Sequence, residues 1–407
     1  MKRISLLIVL FGLGLMLNAQ EDKDKNNASF KLGSGLNFSF NEGNYQFNFS
    51  GFIQPAYEYS KFEDMDTENQ FSSKRSFLIL SGKAVKEKVS FLVQTDYSLD
   101  DPLLDAWVAY HPTNNLTITV GQKQTFVNNK EMTFREDRLQ FTNKSRLSTN
   151  LSDLGREFGL FAEAKFNVLG NVGIAPMMAL TSGDGRNSFG ADSRDVDLGG
   201  LKIGGRLDVY LLGFFKEGND VFSADLAREA SPKFVIGTAM SKNSGVSNSV
   251  GDGHGDFFLY DRDGNISLPD YTQLYVDLLF KYKGFSLLAE YANAAASNLD
   301  EVYIDEAATT ILAPQQISEY LYLGDAINIQ GGYVLPKGLS FDIRYGSLKS
   351  EFSENLNSQL MDNSSYTFGL TKYFDNHNLK MQASITKINF ENTNDQTVGE
   401  FLIQIVF

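Results

Sequence analysis

The connections in this chain constrain its fold more tightly than the strands they join. Stretches of about ten residues with period-two alternation recur from Tyr45 to Phe407. In VSFLVQTDY, Val89, Phe91, Val93, Thr95 and Tyr97 point one way while Ser90, Leu92, Gln94 and Asp96 point the other. FDIRY sets Phe341, Ile343 and Tyr345 against Asp342 and Arg344, and LYVDLLFK sets Leu274, Val276, Leu278 and Phe280 against Tyr275, Asp277, Leu279 and Lys281. The terminal FLIQIVF places Phe401, Ile403, Ile405 and Phe407 on one face. Each stretch reads as a strand with one apolar face and one mixed or charged face. Such faces suit a soluble sandwich as well as a transmembrane barrel, and alternation does not separate the two.

The spacing does. Strands are expected at 45–60, 71–84, 88–98, 103–111, 116–122, 156–168, 171–181, 199–212, 232–242, 271–283, 285–296, 322–335, 339–351, 363–374, 378–390 and 398–407, sixteen in all. Odd-numbered connections are mostly long, at 61–70, 123–155, 182–198, 243–270 and 297–321, with shorter ones at 99–102, 352–362 and 391–397. Even-numbered ones are tight: VKE at 85–87, HPTN at 111–114, LG at 169–170, Gly284, PKG at 336–338 and DNH at 375–377. An up-and-down barrel in an outer membrane has this rhythm, with tight periplasmic turns, long extracellular loops and an even strand count. A spanning sheet must also pair all its backbone groups, so its edges have to meet. The fold class expected is therefore all-β, a transmembrane antiparallel up-and-down β-barrel of about 16 strands. The even connection 213–231 is far longer than the rhythm allows, and FKLGSGLNFSF at 30–40 is a further strand-like piece outside the count.

The remaining features fit an exported chain. MKRISLLIVLFGLGLMLNAQ carries Lys2 and Arg3 ahead of a short apolar run and a small residue at Ala19, the layout of a secretory signal. The expected organisation is a signal peptide at 1–19, a periplasmic N-terminal extension at 20–44 and an outer-membrane barrel at 45–407. Export points to the outer membrane of a Gram-negative bacterium. Removing Lys2 and Arg3 leaves 34 basic residues against 50 acidic, a formal charge of −16, which argues against nucleic acid as a partner. There is no cysteine, which excludes disulfides and thiolate chemistry.

Within this acidic chain, 122–157 is a basic island. Lys123, Lys130, Arg135, Arg138, Lys144, Arg146 and Arg156 outnumber Glu131, Glu136, Asp137, Asp153 and Glu157 by two. The segment 123–155 is the third long connection, and sixteen strands enclose a lumen wide enough for an aqueous channel. A long third extracellular loop folded into that lumen would form a constriction, with these seven cations as candidate pore-lining, anion-binding residues. Two rival assignments concern other loops. DGHGDFFLYDRDGN, Asp252 to Asn265, offers oxygen ligands for Ca²⁺ but lacks the spacing of an EF-hand and reads better as an acidic surface loop. His111, His254 and His377 are the only histidines, and none sits in a hydrolase signature, so no catalytic residue, metal site or cofactor is expected.

Five stretches in order, KRSFLILSG (Lys74 to Gly82), VSFLVQTDYS (Val89 to Ser98), LLDAWVAYHP (Leu103 to Pro112), ITVGQKQTF (Ile118 to Phe126) and GREFGLF (Gly155 to Phe161), resemble the phosphate-selective porins O and P, in their Bacteroidetes-type form. The resemblance implies a passive diffusion channel for small hydrophilic solutes in contact with outer-membrane lipid, and a homotrimer is the candidate assembly. It covers the family's basic positions at Lys123 and Arg156, with Gly121 and Gln122 beside the first. The strands carry no dense arginine ladder, so the expected preference is a mild one for anions of the phosphate kind. The alternative is a non-channel outer-membrane barrel that acts as a binding or attachment protein through its long acidic loops.

Overall fold

The computed structural model describes residues 26–152, 155–187, 200–253 and 255–407. The expected signal peptide, Asp153, most of the 182–198 connection and His254 lie outside them. Sixteen antiparallel strands form one closed sheet. They are β3 (Tyr45–Phe62), β4 (Glu68–Ala84), β5 (Val89–Asp96), β6 (Leu103–Thr113), β7 (Leu116–Gln124), β8 (Arg156–Ala164) with its continuation β9 (Phe166–Leu169), and β10 (Val172–Thr181). The second half comprises β11 (Lys202–Tyr210), β12 (Lys233–Asn243), β13 (Asp270–Tyr282), β14 (Phe285–Ser297), β15 (Gly324–Val334), β16 (Leu339–Ser350), β17 (Asn363–Asp375), β18 (Leu379–Phe390) and β19 (Gln396–Val406). Closure runs from Gln396↔Phe62 to Val406↔Phe52, between the last strand and β3. Two shorter strands, β1 (Asn27–Lys31) and β2 (Gly35–Phe40), precede the barrel. Leu36 to Phe40 pair with Phe49 to Tyr45, so this hairpin adds to the edge of β3 below the end of β19 rather than standing apart from the sheet.

The expected strand polarity is present and is inside out relative to a soluble protein. On β16 and β17, Ile343 and Phe368 are 66% and 50% exposed, while the intervening Asp342 is fully buried. Lys281 on β13, Asn328 on β15 and Gln404 on β19 are likewise fully buried. An apolar outer band of this kind is favourable only against lipid hydrocarbon. Strands of nine to thirteen residues, typical of β10 to β19, match the thickness of a bilayer crossed at a tilt. The even connections are tight for local reasons. Between β13 and β14 only Lys283 and Gly284 intervene, both with positive φ (50° and 96°), the backbone of a two-residue hairpin turn matched to strand twist. Pro55, which cannot donate to a ladder, sits where the β3–β4 register shifts.

Candidate functional site

The segment after β7 is held by buried side chains. Phe126 and Val127 join a cluster with Leu147, Leu151, Phe161, Tyr271, Tyr275 and loop residues such as Leu259 and Ile317. Phe134 and Leu139 join a second with Tyr210, Phe215, Val235, Leu279 and Leu288. Polar contacts are spread over many strands, always at positions of inward parity. The Arg206 guanidinium on β11 donates to the Asn128 carbonyl at 2.8 Å, and Gln273 on β13 donates to the Leu151 carbonyl at 2.7 Å. Farther round the wall, Gln140 donates to Asp342 on β16 at 2.8 Å, Lys380 on β18 donates to the Leu139 carbonyl at 2.9 Å, and Gln404 on β19 donates to the Asp137 carbonyl at 3.1 Å. Arg75 on β4 completes the circuit at the Thr142 carbonyl, 3.1 Å away.

Glu131 ties the segment to itself and to the wall. Its carboxylate accepts from Arg344 on β16 at 2.6 Å, from the Ser145 amide at 2.6 Å and from the Ser148 hydroxyl at 2.8 Å. Ser145 in turn caps the short helix Arg146–Leu151, accepting from the Ser148 amide. Beside it, Glu290 on β14 accepts from the Glu131 amide at 2.7 Å, from Asn129 at 3.0 Å and from Asn328 at 2.7 Å. A second centre lies on three adjacent strands, where Arg206 makes a bidentate pair with Asp277 (2.6 and 2.8 Å) and reaches Asp208 at 2.7 Å. Buried charges of this sort persist only when paired and hydrogen-bonded.

The seven cations identified from sequence do not form a bare positive ring. Lys123 pairs with Glu163, Lys130 with Asp208 at 3.3 Å, Lys144 with Glu136 at 3.2 Å and Arg156 with Asp105 at 3.4 Å. Arg135 grips Asp137 through two bonds of 2.6 and 2.9 Å, and Arg138 stands 3.9 Å from the same carboxylate. Arg146 instead donates to the Asn363 side chain at 3.0 Å and lies over the Phe390 ring. Burial alone would raise the Glu136 carboxyl, but Lys144, Arg156 and Arg75 bring it down to about 2. Asp137 is likewise opposed by burial and carried well below the usual carboxylate range by Arg135 and Arg138.

Arg75, Arg206, Arg344, Lys281 and Lys380 belong to the site and were not singled out from sequence. Single cations on polar strand faces give little signal alone. Glycine gives more: Gly237, in register with both Asp208 and Asp277, leaves the space that the Arg206 guanidinium fills. A Cβ at Gly332 would overlap Asp342 and Gln140, and one at Gly369 would press on Phe141 at 2.9 Å. Glycine within a strand marks close approach of something else, here the Arg206 guanidinium at Gly237 and Gln140 and Phe141 of the 123–155 segment at Gly332 and Gly369.

The long even connection 213–231 is also tied down. Lys281 donates to the carbonyls of Asn219 (2.6 Å), Phe222 (2.7 Å) and Ala224 (3.0 Å). Asp225 accepts from the Gly284 amide at 2.7 Å, and Phe222 stacks on His377 in the β17–β18 turn at 4.3 Å. Ser223 donates to the Arg138 carbonyl at 3.0 Å, so this connection meets the basic segment.

The remaining rival sites are built as structure. Asp261 accepts from the amides of Asp263 and Asn265, an Asx-type turn, and among the described residues no group of three His, Asp or Glu side chains is arranged to hold a metal. Ser90 meets His111 at 2.8 Å, but the other ring nitrogen faces the Thr117 hydroxyl rather than a carboxylate. That pairing lacks the carboxylate that orients the histidine of a catalytic triad.

No family model and no curated protein matches this chain. Solved structures do. The outer-membrane expressed OmpT of Vibrio cholerae superimposes with a TM-score of 0.52 at 12% identity, covering 89% of this chain and 98% of that one. The outer membrane channel DcaP of Acinetobacter baumannii gives 0.52 at 12% identity, covering 90% and 98%. The fold shared with them is a sixteen-stranded antiparallel β-barrel.

Proposed function

We propose that the protein is an outer-membrane porin that passes small hydrophilic solutes by passive diffusion, and that 123–155 is folded into the lumen as its constriction. The observation that carries this reading is the set of bonds from that one segment to inward residues on β4, β11, β13, β14, β16, β18 and β19. A segment lying over the rim would meet strand ends instead. The long connections face the exterior and the tight turns the periplasm, in keeping with outer-membrane barrels generally. A trimer form is named for OmpT of Vibrio cholerae, and the same association is proposed here.

The finer preference is weak. Six of the seven cations sit beside carboxylates, which cancels most of their field at the bore. Arg146, without a carboxylate partner among the described residues, and the partly exposed Arg135 and Arg138 leave a mild bias toward anions of the phosphate kind. That is less than the resemblance to phosphate-selective porins implies.

A second reading, a barrel without an open pore that binds or attaches through its loops, is favoured by one observation. The space bounded by Asn128, Arg156, Lys202, Asp252 and Gln273 amounts to about 20 Å³, room for about one water molecule. Single-channel recording in planar bilayers decides between them. Purified protein should give discrete ion-sized steps; a silent bilayer with correctly folded protein would leave the binding role.

A further inference from the structure

Near the N-terminal hairpin the inner face of the sheet carries amide, hydroxyl and apolar side chains, with Lys83 its one cation. Register carries one continuous row across six strands: Ser29, Asn37, Asn48, Ser81, Leu92 and Trp107. The next row adds Asn27, Ser39, Gln46, Lys83 and Ser90. Together with Phe38, Phe47, Gly82 and Phe91 they line a cleft of about 590 Å³ between the N-terminal hairpin and β3 to β6. Their outward neighbours, among them Phe30, Leu36, Phe49, Leu80 and Val93, are exposed and apolar, so the cleft lies on the polar side of a lipid-facing wall.

We infer that this cleft is a binding site for neutral saccharides. The inference rests on the porin reading above and names a class of solute for it. Three features select that chemistry. Amide and hydroxyl side chains each offer donors and acceptors, which is what the hydroxyls of a sugar need in turn. The lining holds no carboxylate, and its one cation, Lys83, is matched by Glu87 at 3.1 Å on the rim. An anion would find no uncompensated charge here. Trp107, half-buried and the only tryptophan in the chain, presents a large apolar surface with a polar edge, suited to the C–H face of a pyranose ring. A volume of 590 Å³ is in the range of small-molecule sites and accommodates two to three sugar rings. The N-terminal hairpin supplies one wall, which gives a role to residues that the strand rhythm leaves unexplained.

Because there is one tryptophan, its emission reports on this cleft alone. With the full chain in bilayer nanodiscs, maltotriose should change Trp107 emission saturably, with half-saturation in the millimolar range expected of an open, solvated site, and inorganic phosphate should not. Ser81→Leu, which fills the cleft from a position of open space, should abolish the change while the folded barrel retains its β-sheet circular dichroism. Ser39→Ala should weaken binding by roughly three- to tenfold. A flat maltotriose titration of folded wild type, or an equal response to phosphate, overturns the site. Emission needs no current, so the two readings fail separately. Saturable emission from a protein that gives no conductance steps removes the diffusion channel and keeps the site; steps with flat emission do the reverse.

Discussion

At the scale of single residues, the site is a set of buried charges whose value lies in being paired. Arg344 is the cation that meets Glu131, and Glu290 stands beside that carboxylate. Arg344→Met should cost ~3–5 kcal/mol in seating the segment, because two acidic groups would lose their nearest counter-charge. Adding Glu131→Gln should recover part of the loss. Guanidinium unfolding of the refolded barrels, arranged as a double-mutant cycle, measures the coupling, and additive effects would mean the pair contributes nothing. Little of this was legible in the sequence. Arg344 falls on the polar face of FDIRY by parity, but nothing local shows that a partner from 213 residues away arrives there. Gly237, Gly332 and Gly369 were the readable trace, since an interior strand glycine with inward parity implies an incoming neighbour.

Among the elements, strands were more legible than connections, for a physical reason. Each strand carries its own pattern because lipid and lumen impose opposite demands on alternate residues, whereas a docked segment is specified by surfaces scattered over the whole barrel. The expected strand at 156–168 is interrupted at Lys165, and the strand-like piece at 30–40 is part of a hairpin over 27–40. The connection 213–231 broke the length rhythm, and the structure supplies its anchor in Lys281. Lys281→Met removes a charged donor from three carbonyls and should loosen the connection by about 2 kcal/mol or more, roughly 30-fold. Trypsin cleavage at Lys216 or Arg228 in the folded barrel reads this directly, and an unchanged rate would mean the anchor is redundant. The basic segment responds to acid instead. Glu136 lies at about 2 in the folded chain against 4.5 ordinarily, so its stabilising contribution is complete above pH 4.5 and is lost as pH falls toward 2. Asp137 is depressed too and acts with the same sign. Lowering the pH from 5 toward 2 should therefore release 123–155, seen as larger or noisier conductance steps, and the Glu136→Gln variant should show a smaller response.

For the whole molecule, sixteen strands and an alternating loop rhythm were readable because closure is a global condition that leaves a mark on every connection. The segment proposed to enter the barrel left no comparable mark beyond the basic island itself. A sixteen-stranded barrel encloses an aqueous bore on its own, so any narrowness has to come from segments that enter it. The 123–155 and 213–231 segments both contact inward residues, and they touch each other where Ser223 meets the Arg138 carbonyl. Replacing 126–152 with a short Gly-Ser linker while keeping β7 and β8 should raise single-channel conductance several-fold if that segment sets the bore. Replacing 213–231 alone should raise it less, because the basic segment would remain. The reversal potential in a salt gradient separates size from charge. Neutralising Arg135, Arg138 and Arg146 should shift it toward cations without widening the steps, whereas Lys130→Gln would leave Asp208 with Arg206 as its remaining buried partner and disturb the packing as well. If the triple variant keeps the wild-type potential, those three cations lie off the permeation path and the mild anion preference falls with them.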